Sequence, residues 1–434
     1  MHFTNIPSGW TMSNIAGDAS TRMQIAEFKG PMTGRYFSYG FTHSDDYTWS
    51  YAVQFDTAGG PNVPIEVVHS GDPAPAPVTP VRAGYVFDGW YTAPNGGNLF
   101  DFNQSITQNT TVYAHWHSDD SPRLERLSGA VRYDTMGAIV SAAFPSSSEY
   151  VVVASGEGYA DALSASSLAG GLKAPIVLTQ QALLSDQARE QIQRVGASKA
   201  IVIGSTVSVS EQAVSELRSM GLSVDRVQGT NRYETNVAVY KAGKRLGVNW
   251  SKKMIVASGD GYADALSISS YAYKHVAPIF LASRSSGLSY SAITAGGGNF
   301  RTALVVGSVN VVPGKVDSVQ LPYQFGAQSE RVAGATRYET SAKVAEWCVK
   351  QGMGMDGAVF ASGEGFADAL AAGPLAGRSN AALMLVRDPS SPAIALAGQH
   401  ADGVSKAWVV GSSVVVDNHT MQTIADTLGL KREN

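Results

Sequence analysis

Downstream of residue 120 the chain alternates between two kinds of pattern. Short apolar, β-branched runs are separated by stretches whose apolar residues fall at helical spacing. Met136, Ile139, Val140 and Ala143 stand at i, i+3, i+4 and i+7 and predict a helix with one apolar face. YVVVAS (150–155) is apolar almost throughout, as expected of a strand buried on both faces. Gly156 and Gly158 then mark a turn, with a helix beginning near Tyr159. APIVLT (174–179) reads as a second strand, followed by a helix from Ser185. IVIG (201–204) precedes another helix, with Ser208 and Glu211 in capping-box spacing and Gly221 as the residue past its end. Strand–helix alternation with short connections predicts a parallel, doubly wound α/β sheet.

Upstream the pattern changes. Residues 51–117 carry alternating runs such as YAVQFD and TTVYAHW between Gly-, Pro- and Asn-rich turns, which is β patterning. GDPAPAPVTPVR (71–82) is a Pro-rich connection within it, and residues 1–50 are β-like without a distinct motif. HSDDSPRL (117–124) is a polar linker bearing a proline.

Repetition organises the rest. RLSGAVRYDT starts at Arg126, RVQGTNRYET at Arg226 and RVAGATRYET at Arg331, spacings of 100 and 105 residues. Each is followed by a second string: ASGEGYADAL (154–163), ASGDGYADAL (257–266) and ASGEGFADAL (361–370), identical at eight of ten positions. A third recurrence is an apolar run ending in Gly-Ser at Ser205, Ser308 and Ser412. Ordered recurrence of three strings makes this region three copies of one module. Copy two is expected to lose helix at AITAGGGNFRTA (292–303), because successive glycines disfavour it, and its last helix is interrupted by Pro313 and Gly314. The domain reading is therefore a β-rich segment (1–50), a β-rich module (51–117), a linker (118–125), and modules at 126–225, 226–330 and 331–434.

Composition narrows the function. With 434 residues, 44% hydrophobic and only 16% charged, the chain can build packed cores. One cysteine, Cys348, excludes a disulfide scaffold and a Cys-based zinc cluster, and its setting in AEWCVK reads as core. No apolar run approaches a membrane-spanning length. MHFTNIPSGW lacks a basic stretch followed by an apolar one, so no secretory signal is visible there. Residues 1–122 hold 4 Lys/Arg against 11 Asp/Glu, a balance of −7, while the remainder holds 28 against 25, a balance of +3. That is too mild for a nucleic-acid-binding face.

The Gly-rich turn invites a dinucleotide reading, which needs three glycines cradling a pyrophosphate. Here the third glycine is Asp161, and Glu157 adds a second acid that repels phosphate, so no cofactor is expected. Glu157 and Asp161 as a glycosidase pair would give one chain three active sites. The structural reading is a strand-to-helix turn built by Gly156, Gly259 and Gly363 with Asp161, Asp264 and Asp368. The repeated arginines have two readings: pairing within each module (Arg132 with Asp161, Arg232 with Asp264, Arg337 with Asp368), or contact with a ligand. No histidine recurs between modules, which argues against a nucleophile triad; His115 and His117 share a strand face without a third metal ligand, so no metal is expected.

The triplicated R-[LV]-x-G-x-x-R-Y-[DE]-T and A-S-G-[DE]-G-[YF]-A-D-A-L strings over 123–434 closely resemble the cell-wall-binding repeat 2 family. The resemblance implies three Rossmann-like modules in pseudo-threefold arrangement. It also implies noncovalent attachment of a surface protein to the anionic secondary wall polymer of a Gram-positive bacterium. The family's P-I-L-L-like strand is matched by Pro175–Leu178 and Pro278–Leu281, which implies polymer contacts at Pro175 and Pro278; the third copy, from Ala382, lacks the proline. YAVQFDTAGG (51–60), RAGYVFDGWY (82–91), NLFDFNQSIT (98–107) and TVYAHW (111–116) resemble the Listeria–Bacteroides repeat of bacterial surface proteins, implying a small β-grasp-like module. Together these imply a wall-anchored, non-catalytic surface protein, of S-layer or adhesin type. Two alternatives stand beside anchoring. One is the binding part of an N-acetylmuramoyl-L-alanine amidase type hydrolase. The other is an adhesin whose N-terminal region meets host or neighbouring cells.

Overall fold

A computed structural model of the chain describes residues 11–18, 23–29, 36–42, 50–82, 84–118 and 121–433. The chain divides into two compact units, one ending at Asp120 and one beginning at Ser121.

Among the described residues the first unit is all β. Thr11–Asp18, Met23–Lys29 and Tyr36–Thr42 form an antiparallel sheet in chain order. A second, mixed sheet has the order Glu66–His69, Ser50–Asp56, Thr110–Ser118, Tyr85–Tyr91, with the central pair parallel and both outer pairs antiparallel. Alternation explains its core: Val53, Phe55, Trp90, Val112 and Ala114 turn inward and are buried. Phe55 meets Trp90 edge to face at 4.9 Å.

The second unit holds three α/β modules. In the first, Tyr150–Ser155 is the strand expected from its apolar run, and Val151 to Ala154 are wholly buried. The parallel sheet has the order Ile176–Thr179, Tyr150–Ser155, Lys199–Ile203, Ser223–Val227. Module two repeats it with Ile279–Ala282, Lys253–Ser258, Thr302–Val306 and Gln328–Val332. In both, the fourth strand is the segment that leads into the next module. Module three begins likewise with Ala382–Val386, Gly357–Ser362 and Lys406–Val410. Its fourth place is taken by Arg123–Leu127, from the start of the unit, and Lys431–Glu433 adds a fifth strand beyond it. The three modules thus close into a ring.

This corrects the expected linker over 118–125. Leu124 and Leu127 are buried in the third module's sheet, so the run RLERL is a strand.

The pseudo-threefold axis is lined by the helices after the Ala-Asp-Ala-Leu strings: Ala165–Leu172, Ser269–His275 and Ala372–Arg378. Small residues let their backbones meet. A Cβ on Gly170 would lie 2.0 Å from the Tyr273 carbonyl oxygen, and one on Gly373 would lie 2.8 Å from Ser269 Oγ.

Other local expectations fared unequally. The helix Arg132–Ala143 buries Met136, Ile139, Val140 and Ala143. Gly221 has the positive φ of a helix terminator, 89°. The helix placed near Tyr159 starts later, as a short 3-10 turn at Ala162–Ser164. Ser208 does not cap Glu211–Ser219; Ser210 does, accepting from the Ala213 N–H. In module two the glycines end a helix rather than abolish it. Ser289 caps Tyr290–Gly296, which stops at Gly297, and Val316–Phe325 forms a π-helix containing Pro322.

Candidate functional site

In each sheet the chain departs from the first strand to one side and returns for the third strand on the other. The carboxyl ends of those two strands form the switch point at which open α/β sheets bind ligands. Here they carry the repeated A-S-G-[DE]-G string and the Gly-Ser turn, so the repeated chemistry of one module converges there.

The turn is held by its own residues. The serine hydroxyls of Ser155, Ser258 and Ser362 accept the N–H of Glu157, Asp260 and Glu364. In modules two and three the acid also accepts from the tyrosine of the Arg-Tyr pair: Tyr233 donates to Asp260 at 2.6 Å and Tyr338 donates to Glu364, while in module one Glu157 lies close enough for its charge to act on Tyr133. Burial, then the Asp260 bond, pushes the Tyr233 hydroxyl up to about 12; Tyr133 and Tyr338 rise for the same reasons. The first glycine of the string is needed because that tyrosine lies flat on it. A Cβ on Gly156, Gly259 or Gly363 would stand 2.7, 2.6 or 2.4 Å from the ring's Cε1. Asp260 and Glu364 are thus anchored to phenols, and Glu157 to the Gln181 N–H.

Asp161, Asp264 and Asp368 lie beneath the Gly-Ser turns. Gly204, Gly307 and Gly411 have φ of 102°, 110° and 106°, and a Cβ there would come within 2.5, 2.4 and 2.8 Å of the aspartate Oδ2. Ser208 donates to Asp161 at 2.6 Å, but module two has Val311 at that place. Burial pushes Asp264 up to about 6, against the opposing field of Arg337. Burial also raises Asp368, opposed by a bond from Thr135 and by Arg132.

The arginines are therefore not paired as expected. Arg337 acts on Asp264 of the preceding module, and Arg132 acts on Asp368 across the ring closure. The cause is ring packing, which sets each arginine against its neighbour. Arg232 lies over Tyr159 at 5.5 Å, Arg337 over Tyr262 at 5.3 Å, and Arg132 over Phe366 at 5.8 Å. Tyr159, Tyr262 and Phe366 in turn pack on one another with centroids 5.6 to 5.9 Å apart. Within its own module each arginine donates through Nη1 to the motif glycine's carbonyl: Arg132 to Gly156 (2.5 Å), Arg232 to Gly259 (2.7 Å), Arg337 to Gly363 (2.6 Å).

Pro175 and Pro278 are both buried, and their carbonyls accept from Val152 and Ile255 at the head of the sheet. A second repeated arginine, at the head of each first string, also serves the turn. Arg126, Arg226 and Arg331 donate to the carbonyls of Gly411, Gly204 and Gly307 at 2.7, 2.9 and 2.6 Å.

His115 bonds the Ala93 carbonyl and stacks on Tyr91, while His117 pairs with Asp88. Among the described residues no cluster of three or more His, Cys, Asp or Glu could hold a metal, and no helix is long and apolar enough to cross a membrane. Cys348 is wholly buried, and burial pushes its thiol up to about 12.

Three repeated α/β modules joined in a ring by arginine–aromatic contacts, with a small β module before them in sequence, define a repeat-built protein. Residues 126–214, 226–317 and 331–421 match Cell wall binding domain 2, and the chain belongs to that family. Residues 51–115 match the Listeria-Bacteroides repeat domain. The chain is 28% identical over 262 residues to the N-acetylmuramoyl-L-alanine amidase LytC of Bacillus subtilis, covering 60% of this chain and 50% of that protein. It is also 28% identical over 337 residues to the Bacillus subtilis amidase enhancer, covering 76% and 44%. The chain thus spans about half the length of the curated relatives it matches. Among solved structures it resembles Cwp6 from Clostridium difficile, with a TM-score of 0.64 at 21% identity over 94% of this chain and 62% of that one.

Proposed function

We propose that residues 123–434 anchor the chain noncovalently to the cell wall of a Gram-positive bacterium by binding an anionic secondary wall polymer, with Arg132, Arg232 and Arg337 as the repeated contacts. Family membership supports the wall as the place of action. The observation that carries the polymer reading is the geometry of the arginines. Each commits only Nη1 to the protein hydrogen bonds described above, so Nε and Nη2 remain as a fork for phosphate or carboxylate. A charged polymer offers the same group many times. Three linked weak sites then hold it through effective concentration, without any one being tight.

The test is retention of the isolated 121–434 unit on purified walls. Binding should weaken as salt rises and the screening length falls to about 3 Å at 1 M. Stripping the anionic polymer from the walls should abolish retention; undiminished binding to stripped peptidoglycan would overturn the reading. Similarity to LytC and the amidase enhancer favours a second reading, in which this anchoring serves wall hydrolysis. Release of soluble peptidoglycan fragments by the whole chain, alone or added to an amidase, would support it.

A further inference from the structure

The three module junctions follow one plan, yet they differ in charge at the two positions past the end of the second strand: Gln180-Gln181, Ser283-Arg284 and Arg387-Asp388 in modules one, two and three. The second of these positions holds Gln181, Arg284 and Asp388. In the first two modules the motif acid fixes this position, because Gln181 N–H donates to Glu157 at 3.0 Å and Arg284 N–H donates to Asp260 at 2.8 Å. In the third, Asp388 accepts from Ser390 and lies 3.7 Å from Arg387.

Building on the anchoring reading, we propose that the cleft between modules two and three is the principal anion subsite. There Arg284 and Arg337 together seat one phosphate or carboxylate group carried on a glycan, and the other two clefts act as weaker copies. Both arginines line a single half-open cleft of about 320 Å³. Among the described residues the Arg284 guanidinium makes no hydrogen bond or ion pair, and Arg337 spends only Nη1, on Tyr262 and Gly363. Gly261 lines the same cleft, and a Cβ there would meet nothing within 4 Å. Its φ is not positive, so neither packing nor torsion asks for glycine. The space it leaves is open for close approach of a ligand to the backbone. Asp260 and Asp264 also line the cleft and offset the two positive charges. Asp260 is already occupied by the Tyr233 hydroxyl and the Arg284 N–H. Recognition therefore rests on aimed guanidinium donors rather than on net charge, and favours a group bearing two oxygens on one centre.

The intact chain is titrated with glycerol 3-phosphate and, separately, with glucuronate, by calorimetry and ligand-observed NMR, and its retention on walls is measured in parallel. R284Q installs the module-one residue and Q181R makes the reciprocal change; Arg284 is exposed and Gln181 half-buried, and circular dichroism checks the fold. R284Q should weaken whichever probe binds by about tenfold, the size of one charge-assisted contact. Q181R should strengthen binding or add a second site. The probe that binds decides between a phosphate-bearing and a uronic-acid-bearing polymer. If wild type binds walls but R284Q and Q181R match it with both probes and on walls, the subsite is overturned while the anchoring reading stands. If wild type does not bind walls, the anchoring reading itself fails.

Discussion

Arg337 of the third module lies over the Tyr262 ring of the second, 5.3 Å from its centroid, and donates to the Tyr262 hydroxyl at 2.9 Å. Arg232 repeats the contact on Tyr159, at 3.4 Å. The closing member differs: Arg132 faces Phe366, a ring without a hydroxyl.

Phe366→Tyr should therefore stabilise the ring, since it returns to Arg132 the acceptor its counterparts use. A gain of about 0.5–1.5 kcal/mol is expected. Thermal unfolding of the 121–434 unit measures it, and an unchanged melting temperature would count against equivalent geometry at the third junction.

Asp264 makes stability depend on pH. Its folded pKa, about 6, lies above the ordinary 3.8 of an aspartate. The folded state then holds the proton more tightly, so the contribution is complete below about pH 4 and is lost as pH rises through about 6. Asp264→Asn should remove this slope and stabilise the protein at pH 7 by about 2 kcal/mol. Val311→Ser, which supplies the hydroxyl that Ser208 gives Asp161, should also flatten it. Denaturant unfolding at pH 4, 5, 6 and 7 reads both.

Leu124 is wholly buried in the sheet of the module farthest from it in sequence. Leu124→Ala should cost about 2–5 kcal/mol. The loss should appear as one lower transition of the whole unit, together with faster proteolysis of module three. Loss confined to module one would contradict ring closure.

Val276 ends its helix in left-handed backbone, at φ 53°. The equivalent positions hold Lys173 and Asn380, at 54° and 52°. A β-branched residue pays most for this conformation. Val276→Asn should raise stability by about 1 kcal/mol in chemical denaturation.

Much of the fold was legible because one module's pattern is local. A strand buried on both faces must be apolar, so YVVVAS identified itself, and so did the helical stripe from Met136 to Ala143. What escaped depends on neighbours. Ser208 has capping spacing, but its hydroxyl is claimed by Asp161, 47 residues away. Arg132 and Asp161 recur together in every copy, yet recurrence cannot separate a partner in the same module from one in the next. RLERL resembles a linker until the sheet that needs it, formed by the last 80 residues, is in view. At the candidate site the three arginines were found from repetition alone. The phenols of Tyr233 and Tyr338 stand beside them in sequence, but an aromatic residue by itself does not reveal which acid it bonds.

The closing strand also settles where a mechanical load arrives. Tension drawn through the chain ahead of Ser121 passes first to Arg123–Leu127, and that strand is clasped on one side by Lys406–Val410 and on the other by Lys431–Glu433. A pull on the N-terminal region is therefore delivered to the last module in sequence, not the first. Both neighbours run parallel to the loaded strand, so peeling it away means breaking two hydrogen-bonded ladders, and the ring meets the pull where its two ends are fastened together.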